Sequence, residues 1–150
     1  MDNTESYPEV VRHYVEIVKR GAAAIGEGDV GTLLSLIADD FELHPAIAGA
    51  FVGPTTYLGK EGARRYLLDI KDVFEELQYR PLSFSSWRDY LVCPSRFTGH
   101  GTASGVEIDL ETIAVWRFRT DQVVWGATFF TLPDALEAIG AKADELHAVG

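Results

Sequence analysis

The chain has 150 residues, 47% hydrophobic and 24% charged, and its 13 Lys and Arg against 23 Asp and Glu give a formal charge of −10. That length suits one domain, residues 1–150, around one core, while the acidity repels phosphate backbones and anionic lipid surfaces, so neither nucleic acid nor a membrane is expected as a partner. Cys93 is the one cysteine, which rules out an internal disulfide and a thiolate metal cluster, and the polar, acidic N-terminus with no membrane-length apolar run points to the cytoplasm.

Residues 1–7 are expected as a disordered tail. Val11, Tyr14, Val15, Val18, Ala22 and Ile25 then recur at three- and four-residue spacing, which predicts an amphipathic helix from about Pro8 to Ala24, ended by Gly26 and Gly28. Asp29 is expected to cap a short second helix with Val30, Leu33, Leu34 and Ile37 as its buried stripe. Phe41 and Leu43 alternate with Glu42 and His44 in a brief strand that Pro45 stops. The small, apolar, Gly- and Pro-punctuated stretch from Pro45 to Tyr57 is expected to be a lid over something apolar.

Ala63, Tyr66, Leu67, Ile70, Phe74 and Leu77 keep helical spacing, which predicts a third helix from Lys60 to about Leu77 after Gly59. Strands are predicted over Tyr79 to Trp87, Tyr90 to Thr102, Val106 to Arg119 and Gln122 to Thr131. The cleanest alternation sets Val106, Ile108, Leu110, Thr112, Ala114, Trp116 and Phe118 against Glu107, Asp109, Glu111, Arg117 and Arg119. The last strand is apolar on both faces and so is expected to be covered on both, in part by another subunit. Pro133 and Asp134 open a C-terminal helix through Leu136, Ile139 and Leu146, weakened at Gly140. Helices gathered ahead of strands imply an α+β layering in which the sheet curls around the helices and leaves a pocket.

The passages AAAIGEGDVGTLLSLIADDFELH, YLGKEGARRYL and GHGTASGVEIDLETIAVWRF resemble the SnoaL-like branch of the nuclear transport factor 2-like superfamily, over about Val18 to Ala138. The resemblance implies a conical α+β barrel: a strongly curved mixed or antiparallel sheet wrapped around three helices of the N-terminal half, with a short C-terminal helix. It also implies a homodimer with a deep apolar cavity in each subunit. Such relatives include polyketide cyclases, ketosteroid isomerases, limonene epoxide hydrolases and dehydratases, beside non-catalytic binding and scaffold domains, so activity has to be argued from residues.

Ketosteroid isomerases carry a tyrosine, a base aspartate and a protonated aspartic acid where pattern matching places Gly21, Pro45 and Ala114 here. Without those groups their proton shuttle has neither base nor oxyanion partner. Limonene epoxide hydrolases use an inward Asp-Arg-Asp arrangement. Asp109, Glu111, Arg117 and Arg119 supply the residue types, but the alternation turns them away from the Trp116 face, where they read as cross-strand ion pairs.

His44 is the foremost catalytic candidate, because it closes the first strand beside the expected lid and imidazole titrates near neutral pH. A structural, hydrogen-bonded histidine is the competing reading. Asp40 and Tyr57 are its candidate helpers, against readings as a turn residue and a core aromatic. Trp116, Phe118, Thr128, Phe130 and Tyr66 are the expected ligand-binding residues, an aromatic stripe that ordinary packing would also produce. His13, His44, His100 and His147 are scattered, so no metal site is expected. GEGDVG joins two helices, unlike a phosphate loop, and Cys93 is expected to be inert. No cofactor is expected. Two readings follow: cofactor-free acid–base chemistry (isomerase, cyclase, dehydratase or epoxide hydrolase) on a small hydrophobic molecule, or a non-catalytic module that binds such a ligand or another chain.

Overall fold

The computed structural model describes residues 3–46 and 56–149, with side chains from Glu9 onward. Helix α1 (Asn3–Glu27) is longer than its apolar stripe predicts. Its backbone is helical from Asn3 through Pro8. Gly26 stays within the helix, and the stop is made at Gly28 (φ +70°), where Gly28 N–H donates to Ile25 O at 3.3 Å and Asp29 N–H to Ala24 O at 2.9 Å. This is a Schellman turn, for which a left-handed glycine is the low-strain residue. Asp29 then caps α2 (Val30–Leu36), accepting from Thr32 N–H at 3.1 Å and from the Thr32 hydroxyl at 2.6 Å.

After α2 come strands β1 (Ile37–His44) and β2 (Tyr57–Leu58), helix α3 (Gly59–Val73), then β3 (Phe74–Pro81), β4 (Phe84–Trp87), β5 (Tyr90–Gly101), β6 (Glu107–Arg119) and β7 (Gln122–Phe129). Helix α4 (Leu132–Ile139) and strand β8 (His147–Val149) close the described chain. The sheet runs β2-β1-β7-β6-β5-β4-β8, with β3 also paired to β5. Strands β1 and β7 are parallel and the other pairings antiparallel. The result is α+β, a curved mixed sheet that does not close on itself.

Four boundaries differ from the sequence expectation. Ile37 opens β1 opposite Val123 and is not part of the α2 stripe. Helix α3 stops at Val73, where the Phe74 N–H donates back to Ile70 O, and Phe74 and Leu77 belong to β3. The stretch from Tyr79 to Trp87 is two strands, interrupted at Leu82 and Ser83, that pair in turn with β5. At the C-terminus Gly140 takes φ +76° and ends α4, so Leu146 is not helical and the next residues add β8 to the edge of β4. Residues 47–55 of the expected lid lie outside the described residues.

Two apolar layers hold the sheet. Inside the curve, Val15 and Val18 of α1, Leu36 of α2, Leu67 and Ile70 of α3 and Leu91, Cys93, Ala114 and Phe118 of the sheet form the main core. Outside it, Val92 and Val115 pack with Ala135 of α4, flanked by Trp125, Phe129 and Ile139. Part of the second cover expected for β7 is supplied by α4 of the same chain. No helix among the described residues is long and apolar enough to cross a membrane.

Candidate functional site

The inner face of the sheet and the three N-terminal helices enclose a cavity of about 90 Å³. Helix α1 contributes Ile17, Val18, Gly21, Ala22 and Ile25, α2 Leu33 and Leu36, and α3 Ala63 and Tyr66. The sheet contributes Ile37, Phe41 and Leu43 from β1, Tyr79 from β3, Phe97 from β5, Thr112 and Trp116 from β6, and Val123 and Thr128 from β7, with Pro45 just beyond β1. No carboxylate, imidazole, ammonium or guanidinium is present in this described lining. A void of this size costs ~2 kcal/mol relative to a packed interior, which a bound apolar molecule would offset.

Polar atoms do reach the cavity wall, and all are neutral. The Thr112 hydroxyl and the Trp116 indole nitrogen are buried with no hydrogen-bond partner. Each such orphan costs about 1–3 kcal/mol. The Trp116 ring meets Tyr79 edge-on, with centroids 6.4 Å apart and planes at 88°. Its N–H helps to hold down the Tyr79 pKa, but falls short of hydrogen-bond geometry to the phenol oxygen. The Ser95 hydroxyl lies 3.0 Å from the Tyr79 oxygen and 2.8 Å from Cys93 O. Burial pushes the Tyr79 pKa up, reinforced by Cys93, and burial does the same for Tyr66, reinforced by Tyr57. Both phenols therefore stay protonated near neutral pH. Thr128 accepts from Ala46 N–H at 2.7 Å, which fixes the chain after β1 against β7.

Of the expected ligand-binding residues, Tyr66, Trp116 and Thr128 line the cavity. Phe118 is on the same face but packs away from it, stacked on Tyr14 at 4.1 Å with planes 9° apart. Phe130 follows the end of β7 and is 53% exposed, so it cannot line an interior space. The catalytic candidates are not brought together. His44 lies on the opposite face of β1 from Phe41 and Leu43, its ring 5.8 Å from Trp125 and its Nδ1 3.2 Å from the Thr56 hydroxyl. Its Nε2 is 3.8 Å from Glu42. Asp40 makes a two-pronged pair with Arg119, accepting from Nη2 at 2.7 Å and Nη1 at 3.0 Å, and that contact lowers its pKa. The Tyr57 hydroxyl donates to Asp69 at 2.8 Å, and burial with the Asp69 charge pushes its pKa up to about 12.

Gly21 and Pro45 do border the cavity, and Ala114 is buried on the same inner face between Thr112 and Trp116. The three positions matched to the isomerase groups thus lie on the cavity side, and none of them carries such a group. Asp109, Arg117 and Arg119 face outward and pair with Arg96 (2.6 Å), Asp89 (3.0 Å) and Asp40. Among the described residues no three His, Cys, Asp or Glu are grouped to hold a metal ion. Thr112 and Tyr79 are the polar wall residues that the sequence reading did not single out as ligand-binding. The alternation of β6 had already put Thr112 on the inner face, whereas the phase of Tyr79 depends on a bulge.

Residues 18–126 match the profile of a family described as a SnoaL-like domain. Several solved structures are similar. A hypothetical protein with a ketosteroid isomerase-like fold from Catenulispora acidiphila, in complex with trimethylamine, is 19% identical with a TM-score of 0.68, over 86% of this chain and 95% of that one. An NTF2-like protein of unknown function from Burkholderia pseudomallei is 17% identical with a TM-score of 0.70, over 86% and 98%. A candidate SnoaL-like polyketide cyclase from Jannaschia sp. is 19% identical with a TM-score of 0.68, over 87% and 94%. No curated protein sequence matches the chain.

Proposed function

Because the chain belongs to the SnoaL-like domain family, we propose that its cavity is a small-molecule site, and that it binds a small, uncharged, largely apolar molecule without acid–base turnover. The supporting observation is the chemistry of the wall. Proton abstraction needs a group with a pKa near the working pH within hydrogen-bond reach of the substrate. The described lining offers only hydroxyls, one indole and hydrocarbon, and residues 47–55, IAGAFVGPT, add no ionisable side chain. An ion would lose its hydration there with no opposite charge to compensate. A volume of about 90 Å³ suits a molecule of a few heavy atoms, or one end of a longer one, since an apolar cavity of about 150 Å³ holds benzene.

A second reading, cofactor-free enzymology of isomerase, cyclase, dehydratase or epoxide-hydrolase type, draws on the family and on Tyr79. That phenol is protonated and held by Ser95 at the cavity wall, which equips it to donate a proton but not to remove one. The test of the binding reading is titration with methylenecyclopentane, followed by NMR of the cavity methyl groups and by thermal stabilisation. Gly21 faces the void with only Leu36 and Leu33 side chains 3.7 and 3.9 Å from where a Cβ would sit. Gly21→Leu should therefore fill the space, keep the fold through improved helix propensity, and abolish the shifts. If the variant binds as well as the parent, the cavity is not the binding site.

A further inference from the structure

We infer that Thr112, Tyr79 and Trp116 form a strip of neutral hydrogen-bond donors that takes the carbonyl oxygen of an uncharged ligand, a ketone, aldehyde or quinone-type carbonyl, at the inner wall of the cavity. This deepens the binding reading and rests on it. Two of the three polar groups are buried without a partner although both residues line an open space. Buried polar groups are nearly always satisfied, so two orphans on residues that line one cavity mark places where a ligand atom completes the set. The backbone of β6 sets them on one face, at i and i+4, with Ala114 between them presenting only a methyl group.

Tyr79 joins the two. Its oxygen contacts Ser95, which is directly opposite Thr112 in the β5–β6 register, and its ring edge meets Trp116. When Ser95 donates to Tyr79, the phenol proton is released toward the cavity. When Ser95 donates to Cys93 O instead, Tyr79 donates to Ser95. The hydroxyl pair can thus turn its donor toward a ligand without any side chain moving.

The donor types choose the ligand. An indole N–H only donates, so the partner of Trp116 must be an acceptor. With three donors and no cation, a carboxylate or phosphate would be desolvated without charge compensation, whereas a neutral carbonyl presents two lone pairs at little desolvation cost. An aliphatic or olefinic ligand would fill the volume but leave both orphans unmet.

The experiment compares three ligands of nearly one shape: cyclopentanone, methylenecyclopentane and cyclopentanecarboxylate. With three tryptophans in the chain, the Trp116 indole N–H signal is assigned as the one lost in Trp116→Phe. Cyclopentanone should bind about 5- to 10-fold more tightly than methylenecyclopentane, the ratio expected of one net hydrogen bond, and should move the Trp116 indole proton downfield. Cyclopentanecarboxylate should bind more weakly than the ketone. The double variant Trp116→Phe/Thr112→Val should bring ketone and olefin to within about twofold of each other, with olefin affinity retained. Should the double variant not fold, Thr112→Val alone, which removes an unpaired hydroxyl, should be at least as thermostable as the parent and show a reduced ketone preference. Equal ketone and olefin affinity, or a preference that survives the variants, overturns the donor strip and leaves the cavity reading intact. Failure of every ligand to shift a cavity resonance overturns both.

Discussion

Trp116 lies directly across the β6–β7 ladder from Gly126, with the six-membered part of its indole occupying the space where a side chain at 126 would begin. The absence of a Cβ there lets the ring lie flat against β7 and keeps its N–H edge turned toward Tyr79. Gly126→Ala should displace the indole, and overpacking of this kind costs about 1–3 kcal/mol. A lowered Tm together with a changed Trp116 indole N–H signal would fit. A variant with parental Tm and an unmoved indole would mean that the wall does not depend on this contact.

The strand that the sequence reported best is β6, where uninterrupted alternation from Glu107 to Arg119 assigns every side chain to the observed face. Three other segments were blurred by one physical cause, register shifts of the β-bulge kind, because extra residues turn period-two spacing into helix-like spacings of three or four. In β3 the register shifts between Glu75 and Gln78, with Glu76 at φ +52°, so Phe74 and Leu77 face the core three residues apart and mimic another helical turn. In β1 the shift between Ile37 and Glu42 leaves Asp39 and Asp40 both exposed, and the buried Ile37 and Phe41 fall four apart. In β7 the shift opposite Arg117 and Phe118 places Val123 on the face of Gly126 and Thr128, which period-two spacing alone does not. The cavity residues Trp116 and Thr128 were therefore legible from strand alternation, and Tyr66 from helical spacing. Tyr79 lay beyond a bulge, and the missing partner of Thr112 is a tertiary fact that no local pattern carries.

The Tyr57–Asp69–Arg65 cluster gives stability a definite pH dependence at both extremes. Burial raises the Asp69 pKa, but the Tyr57 and Arg65 hydrogen bonds outweigh it and leave the group below its ordinary 3.8. A depressed folded-state pKa stabilises above the unfolded value, so that contribution is present above pH 3.8 and disappears as pH falls through the lower folded value. Tyr57 has the opposite sign. Its pKa rises from 10.0 to about 12, so its contribution is complete below pH 10 and is lost as pH climbs towards 12. Asp69→Asn should flatten the acid limb of the stability curve and move the Tyr57 titration only part of the way back to 10, since burial is the larger cause. NMR titration of the Tyr57 ring carbon reads the second effect, and an unchanged midpoint in the variant would dissociate the pair.

Cys93 is fully buried beside Ala114, and burial raises its thiol pKa far above the ordinary range. Nucleophilic reactivity requires thiolate and access, and this site lacks both. As the chain has one cysteine, a thiol-disulfide reagent reads it alone. Modification of the native protein at pH 8 should be at least about 100-fold slower than in denaturant, because reaction must wait for opening of the core. Rapid modification of the folded chain would show that the β5–β6 wall opens readily and would remove Cys93 from the inert interior.

His44 provides the sharpest separation between the two functional readings, since it is the histidine flanked in sequence by two residues of the cavity wall, Leu43 and Pro45. Its side of β1 is fixed by its neighbours: Leu43 and Pro45 line the cavity, whereas Glu42 and His44 face the layer that holds Trp125. Bringing the ring inside would take a one-residue slip of β1, which would also turn Phe41 and Leu43 outward and expose two buried core side chains. His44→Gln should accordingly change cyclopentanone affinity by less than about twofold, the effect of a distant, uncoupled site. The same substitution should leave the Trp116 indole shift on ketone binding as it is in the parent. A loss of tenfold or more, or abolition of a measured turnover with folding intact, would place the imidazole in contact with the ligand and favour the enzymatic reading over binding alone.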